Sequence, residues 1–148
     1  MFSVITRLNL LKEIAFEYHD LKHMAYHDSL TGLFNRNWLY RNASTIKNEN
    51  VYFIDINGLH AINKKYGHIF GDQYILDIVK SIFLQKGDVF IRYAGDEFIL
   101  FSDRTELRES DLYSYGRSKV DPLNVLSSVN DADQDMIKKR ANSNCVRI

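Results

Sequence analysis

Between Ser3 and Tyr26 the apolar residues Leu8, Leu11, Ala15, Tyr18, Leu21 and Ala25 recur at spacings of three and four, the pattern of one stripe along a helix. A helix of this kind ahead of a domain either pairs with its copy in a second chain or packs on its own domain, and the stripe allows both. His19, His23 and His27 fall at i, i+4 and i+8 on the same helix, a face that can be solvated or can take a metal. Gly32 then breaks one element, and Asn35 offers an N-cap to a helix through about Ile46. After the turn "KNEN", the β-branched and aromatic run Val51 to Ile56 reads as a buried strand. Gly58, Gly67 and Gly71 punctuate a loop-rich segment. Ile75, Leu76, Ile78, Val79, Ile82 and Phe83 next give an amphipathic helix over Asp72 to Phe83. "KGD" turns the chain into two strands, "VFIRYA" and "EFILF", and "LYSYGRSK" reads as another. Pro122 is expected at the N1 position of a last helix that runs to about Arg140.

The resulting order, strand, helix, hairpin, short connection, strand, helix, predicts an α/β sandwich of helices on a mostly antiparallel sheet. Its first two strands are joined by a helical crossover. A length of 148 residues supports one compact domain with its own core plus an appendage. The expected division is an N-terminal helix at 1–26, a possible dimerisation stalk, and a domain at 27–148. With 19 Lys+Arg and 19 Asp+Glu the formal net charge is zero, which argues against gripping a nucleic acid polymer or an anionic membrane by charge. The lone Cys145 leaves no internal disulfide framework. Arg7, Lys12 and Glu13 interrupt the first apolar residues, so no signal peptide or membrane insertion is expected and the cytoplasm is the expected compartment.

The hairpin "FIRYAGDEFILF" carries two adjacent carboxylates, Asp96 and Glu97, where a polar tip would need neither. Asp55 ends the first strand, and if the third strand lies beside it, all three acids converge. Carboxylates this close raise one another's pKa unless a cation sits between them. Hard Mg²⁺, or Mn²⁺, suits such oxygen ligands together with substrate phosphates, as in in-line displacement at phosphorus. An exposed acidic turn unrelated to Asp55 is the alternative. In "NGLHAINKKYGHIFGD", the chain leaves the strand through Asn57 and Gly58, offering backbone N–H groups to phosphate oxygens. Asn63 and Asp72 can then read a base edge, and a carboxylate with an amide complements guanine, whose N1–H and N2–H₂ donate while O6 accepts.

"HDSLTGLFNR", "IDINGLHAINKKYGHIFGD", "IRYAGDEF" and "ADQDM" together resemble, in order and nearly in spacing, the GGDEF family of diguanylate cyclases, over about Ala25 to Asn144. The resemblance implies a palm-like, ferredoxin-related α+β fold, an antiparallel-rich sheet with flanking helices. It also implies the condensation of two GTP to cyclic di-GMP and two pyrophosphates by a homodimer holding one GTP on each protomer. On this resemblance Asp55, Asp96 and Glu97 match the metal and catalytic acids, with the Ile56 carbonyl as a further metal ligand. Asn63 and Asp72 match the guanine readers, and Gly95 the glycine that lets the chain pass close to the nucleotide. Leu59 and His60 stand at the phosphate loop, and Arg140, or Lys139 with a one-residue shift, at the phosphate cation. Asp28 and Arg36 match a motif expected to form an ion pair.

Several positions depart from the family. Ala94 replaces the first signature glycine, tolerable at negative φ and costly at positive φ. Asn57 stands for an Asp, and Leu59-His60 for Phe-Lys. "KKRANSN" has no counterpart to a second arginine. The product-inhibition motif Arg-x-x-Asp reads Gln85-Lys86-Gly87-Asp88, without its arginine. The connection from Phe101 to Leu112 replaces a crossover helix, with room for a couple of turns at most, and is expected to leave one sheet face thinly covered. Two further readings follow: a catalytically silent GTP-binding or interaction module, and a minimal palm polymerase making a different cyclic dinucleotide.

Overall fold

A computed structural model describes residues 3–145. Helix α1 (Val4–Tyr26) is capped by the Ser3 hydroxyl, which accepts from the Thr6 N–H. It is followed by β1 (Phe34–Asn35), α2 (Arg36–Asn42), β2 (Asn50–Ile56), α3 (Leu59–Tyr66) and α4 (His68–Ser81). Then come β3 (Val89–Arg92), β4 (Glu97–Ser102), β5 (Tyr113–Lys119) and α5 (Val125–Cys145). The sheet order is β1-β3-β4-β2-β5, and only the short β1–β3 pair is parallel. Both β2 and β3 run antiparallel to β4 between them, so the α3–α4 segment is the expected helical crossover.

The period-two alternation along β2 explains the two cores. Val51 and Phe53, with Ile91, Ile99 and Phe101, pack under Leu39 of α2 and Val125, Val129, Ala132 and Met136 of α5. Tyr52, Ile54 and Ile56, with Phe90, Phe98 and Leu100, pack under Ile75 and Ile78 of α4 and Ile82 just after it. A central strand covered on both faces has no polar face, which is why "VYFIDI" reads as a continuous apolar run. Gly116 lets α5 lie directly on β5, because a Cβ there would overlap the Ala132 carbonyl and the Met136 backbone.

Four expectations change. The loop-rich stretch between Gly58 and Gly71 is two helices, separated by Gly67 at φ +90°. Gly71 lies inside α4 and serves close approach, since a Cβ there would collide with the Asn63 side chain of α3. Pro122 lies in the turn before α5. The Asn124 side chain accepts from the Ser127 N–H at the start of that helix, which then continues to Cys145. α2 ends at Asn42 in a 3₁₀ turn over Ala43–Thr45, and β1, two residues long, is too short to show a period.

The shortened connection forms no helix, yet it covers the sheet. Leu107 is buried in the second core. The hydroxyls of Tyr52, Tyr113 and Tyr115 donate to the carbonyls of Arg104, Arg108 and Leu107, sewing the strap to β2 and β5. Burial raises the Tyr113 phenol pKa, and at Tyr115 burial and the Glu109 carboxylate push it well above the usual range.

No residue of α1 is buried, and Leu11 and Leu21 are 62% and 65% exposed. The helix therefore does not pack along its own domain. Its last turn is held by the Asn35 and Asn37 amides, which donate to the Ala25 carbonyl. His19, His23 and His27 do not converge as a metal-binding group, for the rings of His23 and His27 are stacked with centroids 3.9 Å apart. Among the described residues no helix is long and apolar enough to cross a membrane.

Candidate active site

The signature is the turn between β3 and β4. The N–H groups of Tyr93 and Ala94 both donate to the Glu97 carbonyl, at 2.8 and 3.1 Å. Arg92 closes the turn from outside, donating to the Gly95 carbonyl at 2.8 and 3.3 Å. Ala94 poses no backbone problem, as every non-glycine residue described has negative φ. Gly95 is at negative φ too, and a Cβ there would meet nothing within 4 Å, so the fold itself does not require glycine.

Strand pairing brings the acids together. Asp55 is opposite Glu97 in the β2–β4 register, and the Ile56 N–H donates to the Asp96 carbonyl at 2.8 Å. Burial and the neighbouring Asp96 raise the Asp55 pKa, against the pull of Arg140. Glu97 is raised by burial, then by Asp55, Asp96 and Asp133, against a lowering by Arg36. Arg140 reaches from α5 to Asp55 at 3.0 Å. Asp133, one heptad earlier on the same helix, adds charge to the cluster. Asp133 is the first acid of "ADQDM", a motif singled out in the sequence without a role for that residue.

The donor set fits a hard cation in part. Among the described residues no three acidic or imidazole side chains converge as a complete cage. Mg²⁺ needs no such cage, since it keeps waters and shares substrate phosphates with one or two carboxylates. Two carboxylates whose pKa values are raised by burial and then by neighbouring acids are what that chemistry calls for, and the Arg140 guanidinium now supplies positive charge at Asp55.

Other expected site residues lie around this cluster. The Asn57 N–H is taken by the Leu112 carbonyl, and its side chain bridges the Asp111 carbonyl and the Ser114 hydroxyl. Free donors therefore begin one residue later. Gly58, at φ +74°, starts α3, whose first turn has neither a side-chain cap nor an acidic residue. His60 is exposed in that turn, while Leu59 packs partly into the second core. Asn63 lies against Gly71 where α3 packs on α4, and the exposed Asp72 is the next residue in the chain. A polar cleft of about 460 Å³, lined by Asn57, Ser114, Tyr115, Lys139 and Arg140, opens beside the Asp55–Arg140 pair.

The expected Asp28–Arg36 ion pair is absent. The β1–β3 register sets Arg92 opposite Asn35, and Arg92 takes Asp28 at 3.1 Å while Arg36 lies 4.0 Å over the Tyr93 ring. Burial works against the Asp28 charge, but bonds from Thr31 and Arg92 prevail and lower its pKa. At the far end of the hairpin, Asp88 of the altered inhibition motif is bound by Arg104 at 2.5 Å and by the Gln85 N–H.

The architecture is that of solved GGDEF domains. The coiled coil and GGDEF domain of DgcB from Caulobacter crescentus, solved with c-di-GMP, matches with a TM-score of 0.73. That match covers 94% of this chain and 93% of that one at 17% identity, and so defines the fold. Residues 25–139 match the family model described as diguanylate cyclase, GGDEF domain, and the chain belongs to the GGDEF family. It is 36% identical over 108 residues to the diguanylate cyclase VdcA of Vibrio cholerae, covering 68% of this chain and 32% of VdcA. It is 34% identical over 121 residues to the cyclic di-GMP phosphodiesterase NbdA of Pseudomonas aeruginosa, covering 74% of this chain and 15% of NbdA. The chain thus spans a third or less of the length of the curated relatives it matches.

Proposed function

We propose that this domain is a diguanylate cyclase that condenses two GTP to cyclic di-GMP with release of pyrophosphate, in the cytoplasm, as a homodimer with one GTP on each protomer. The observation that carries the reading is the β2–β4 register, which sets Asp55 across from Glu97 with Asp96 bound to the next N–H. Asp55, Asp96 and the Ile56 carbonyl would hold Mg²⁺ or Mn²⁺, with Glu97 as a further ligand or the base. When bound, the metal eases deprotonation of a ribose 3′-OH and stabilises charge at the attacked phosphorus.

The chain's own residues do the rest. Asn63 and Asp72 hold the guanine edge. The first-turn N–H groups of α3 and exposed His60 face the phosphates, with Leu59 fixing that turn to the core. Gly95 leaves room for the nucleotide above the signature. Arg140 exchanges its bond to Asp55 for one to a substrate phosphate, freeing the carboxylate for the metal. The apolar positions that α1 leaves exposed suit pairing with a second copy, which brings two half-sites face to face. With Asp88 committed to Arg104, the product has no acidic partner at the altered inhibition motif, and no feedback through it is expected.

A catalytically silent GTP-binding module is the second reading, favoured by the hold of Arg140 on Asp55 and by the missing second arginine. Incubation of the purified protein with GTP, ATP and Mg²⁺ or Mn²⁺, followed by product analysis, separates the readings. Cyclic di-GMP from GTP supports the cyclase. GTP binding without any dinucleotide supports the module, and a product containing adenine indicates a different cyclic dinucleotide.

A further inference from the structure

The joint between α1 and the domain is built from rings. His23 of α1 stacks on His27 with centroids 3.9 Å apart and planes 9° from parallel. His27 contacts Phe34 of β1 at 5.0 Å, and Phe34 stacks on Trp38 of α2 at 4.1 Å. Phe34 and Trp38 both pack against the first core, so the ladder runs from the helix into the domain. α1 itself buries no residue anywhere along its length, and besides the rings its joint is held by the two amides on the Ala25 carbonyl and by the backbone bridge between His27 and Phe34.

We propose that the stacked His23–His27 pair makes this joint sensitive to protons, so that acidification separates the rings and frees the angle between α1 and the domain. Histidine is the side chain suited to changing charge between about pH 5 and 8. Two imidazolium rings held face to face at this spacing repel, whereas a neutral pair, or one neutral and one charged ring, stacks. The His27 Nδ1 donates to the Gly32 carbonyl at 3.1 Å, which holds the ring in its place in the stack.

The surroundings do little to absorb a second positive charge. The hollow at the joint is lined by His19, Lys22, His23, Tyr26, His27, Phe34 and Trp38, with no carboxylate among them. β1 and α2 contribute only Phe34 and Trp38 to it, and α1 contributes a third imidazole and an ammonium. Asp28, next in the chain, is committed to Thr31 and Arg92. Asp20 lies one turn back on α1, is exposed, and is the nearest free counter-charge along that helix. The consequence for catalysis rests on reading α1 as the stalk that sets two half-sites against each other. The opening of the joint does not depend on that reading and is measurable without any turnover.

The test is a spin-label distance in the full chain, with nitroxides at Lys12→Cys on α1 and Lys80→Cys on α4 in a Cys145→Ser background. Dilution with unlabelled protein restricts the measurement to one chain. Between pH 8 and pH 5.5 the distance distribution is expected to shift or broaden, and to recover on return to pH 8. His23→Phe keeps a ring in the stack without a charge, and its distribution is expected to stay fixed across the same range. An unchanged distribution in the chain with both histidines overturns the proposal. So does an equal shift in His23→Phe, which would place the pH response elsewhere. Loss of cyclase activity in every form, with the distance response intact, would refute the enzymatic reading and leave the joint standing.

Discussion

The two ends of the β3–β4 hairpin each gather acid, and they treat it in opposite ways. At the open end Asp88, its side chain 2% exposed, is matched by Arg104, itself tied to the Phe83 carbonyl and the Ser102 hydroxyl. At the signature end Asp55, Asp96 and Glu97 crowd together, among the described residues only Arg140 is paired directly to them, and two of the three are held above their usual pKa. The first site is electrostatically complete and has nothing left to bind. The second carries an excess of negative charge, which is the ground for proposing it as the place where a cation and phosphates bind.

The sharpest break of this contrast is Asp96→Ala. It should reduce cyclisation of GTP by more than about a hundredfold while the thermal transition stays near that of the parent, because the removed charge is one that opposes ionisation of Asp55 and Glu97. Normal turnover would show that the metal assignment is wrong. Arg104→Met should do the reverse, costing about 3 kcal/mol of stability in denaturant titration by stranding a buried carboxylate, with little effect on GTP affinity. Asp72→Ala should raise KM for GTP by about tenfold or more without raising that for ATP, since a lost hydrogen bond to a donor edge is felt only by guanine. An unchanged preference for GTP would remove the guanine role.

Glu97→Gln gives a smaller and sign-specific effect. A carboxylate whose folded pKa is raised stabilises the fold at low pH and loses that contribution as pH rises through its folded pKa. Metal-free Glu97→Gln should therefore melt slightly above the parent near pH 7, and the two should coincide in acid, where Glu97 is protonated. Ala94→Gly should change least. With φ already negative there is no strain for glycine to relieve, so activity within about twofold of the parent is expected.

The placement of the acids was more legible in the sequence than the shape around them. Strand β2 and the paired acids were readable because a doubly covered strand writes an unbroken apolar run and because charge at a hairpin tip is conspicuous. Helix α3 was not, for its eight residues include no buried side chain, and Gly71 mimics a turn while serving as a contact surface for Asn63. The partner of Asp28 depended on the register of a two-residue parallel strand, which no local pattern encodes. The hold of Arg104 on Asp88, and of the tyrosines on the short strap, joins residues distant in sequence through side chains alone. The roles of individual site residues are expectations that the variants above address.

The central claim is that Asp55, Asp96 and the Ile56 carbonyl form a cation site completed by nucleotide phosphate. Crystals grown with Mn²⁺ and a GTP analogue that cannot release pyrophosphate test it through anomalous diffraction. The account predicts a manganese peak between Asp55 and Asp96, with Arg140 moved off Asp55 toward the phosphates. Bound nucleotide with no metal against those carboxylates, and Arg140 still on Asp55, would contradict it.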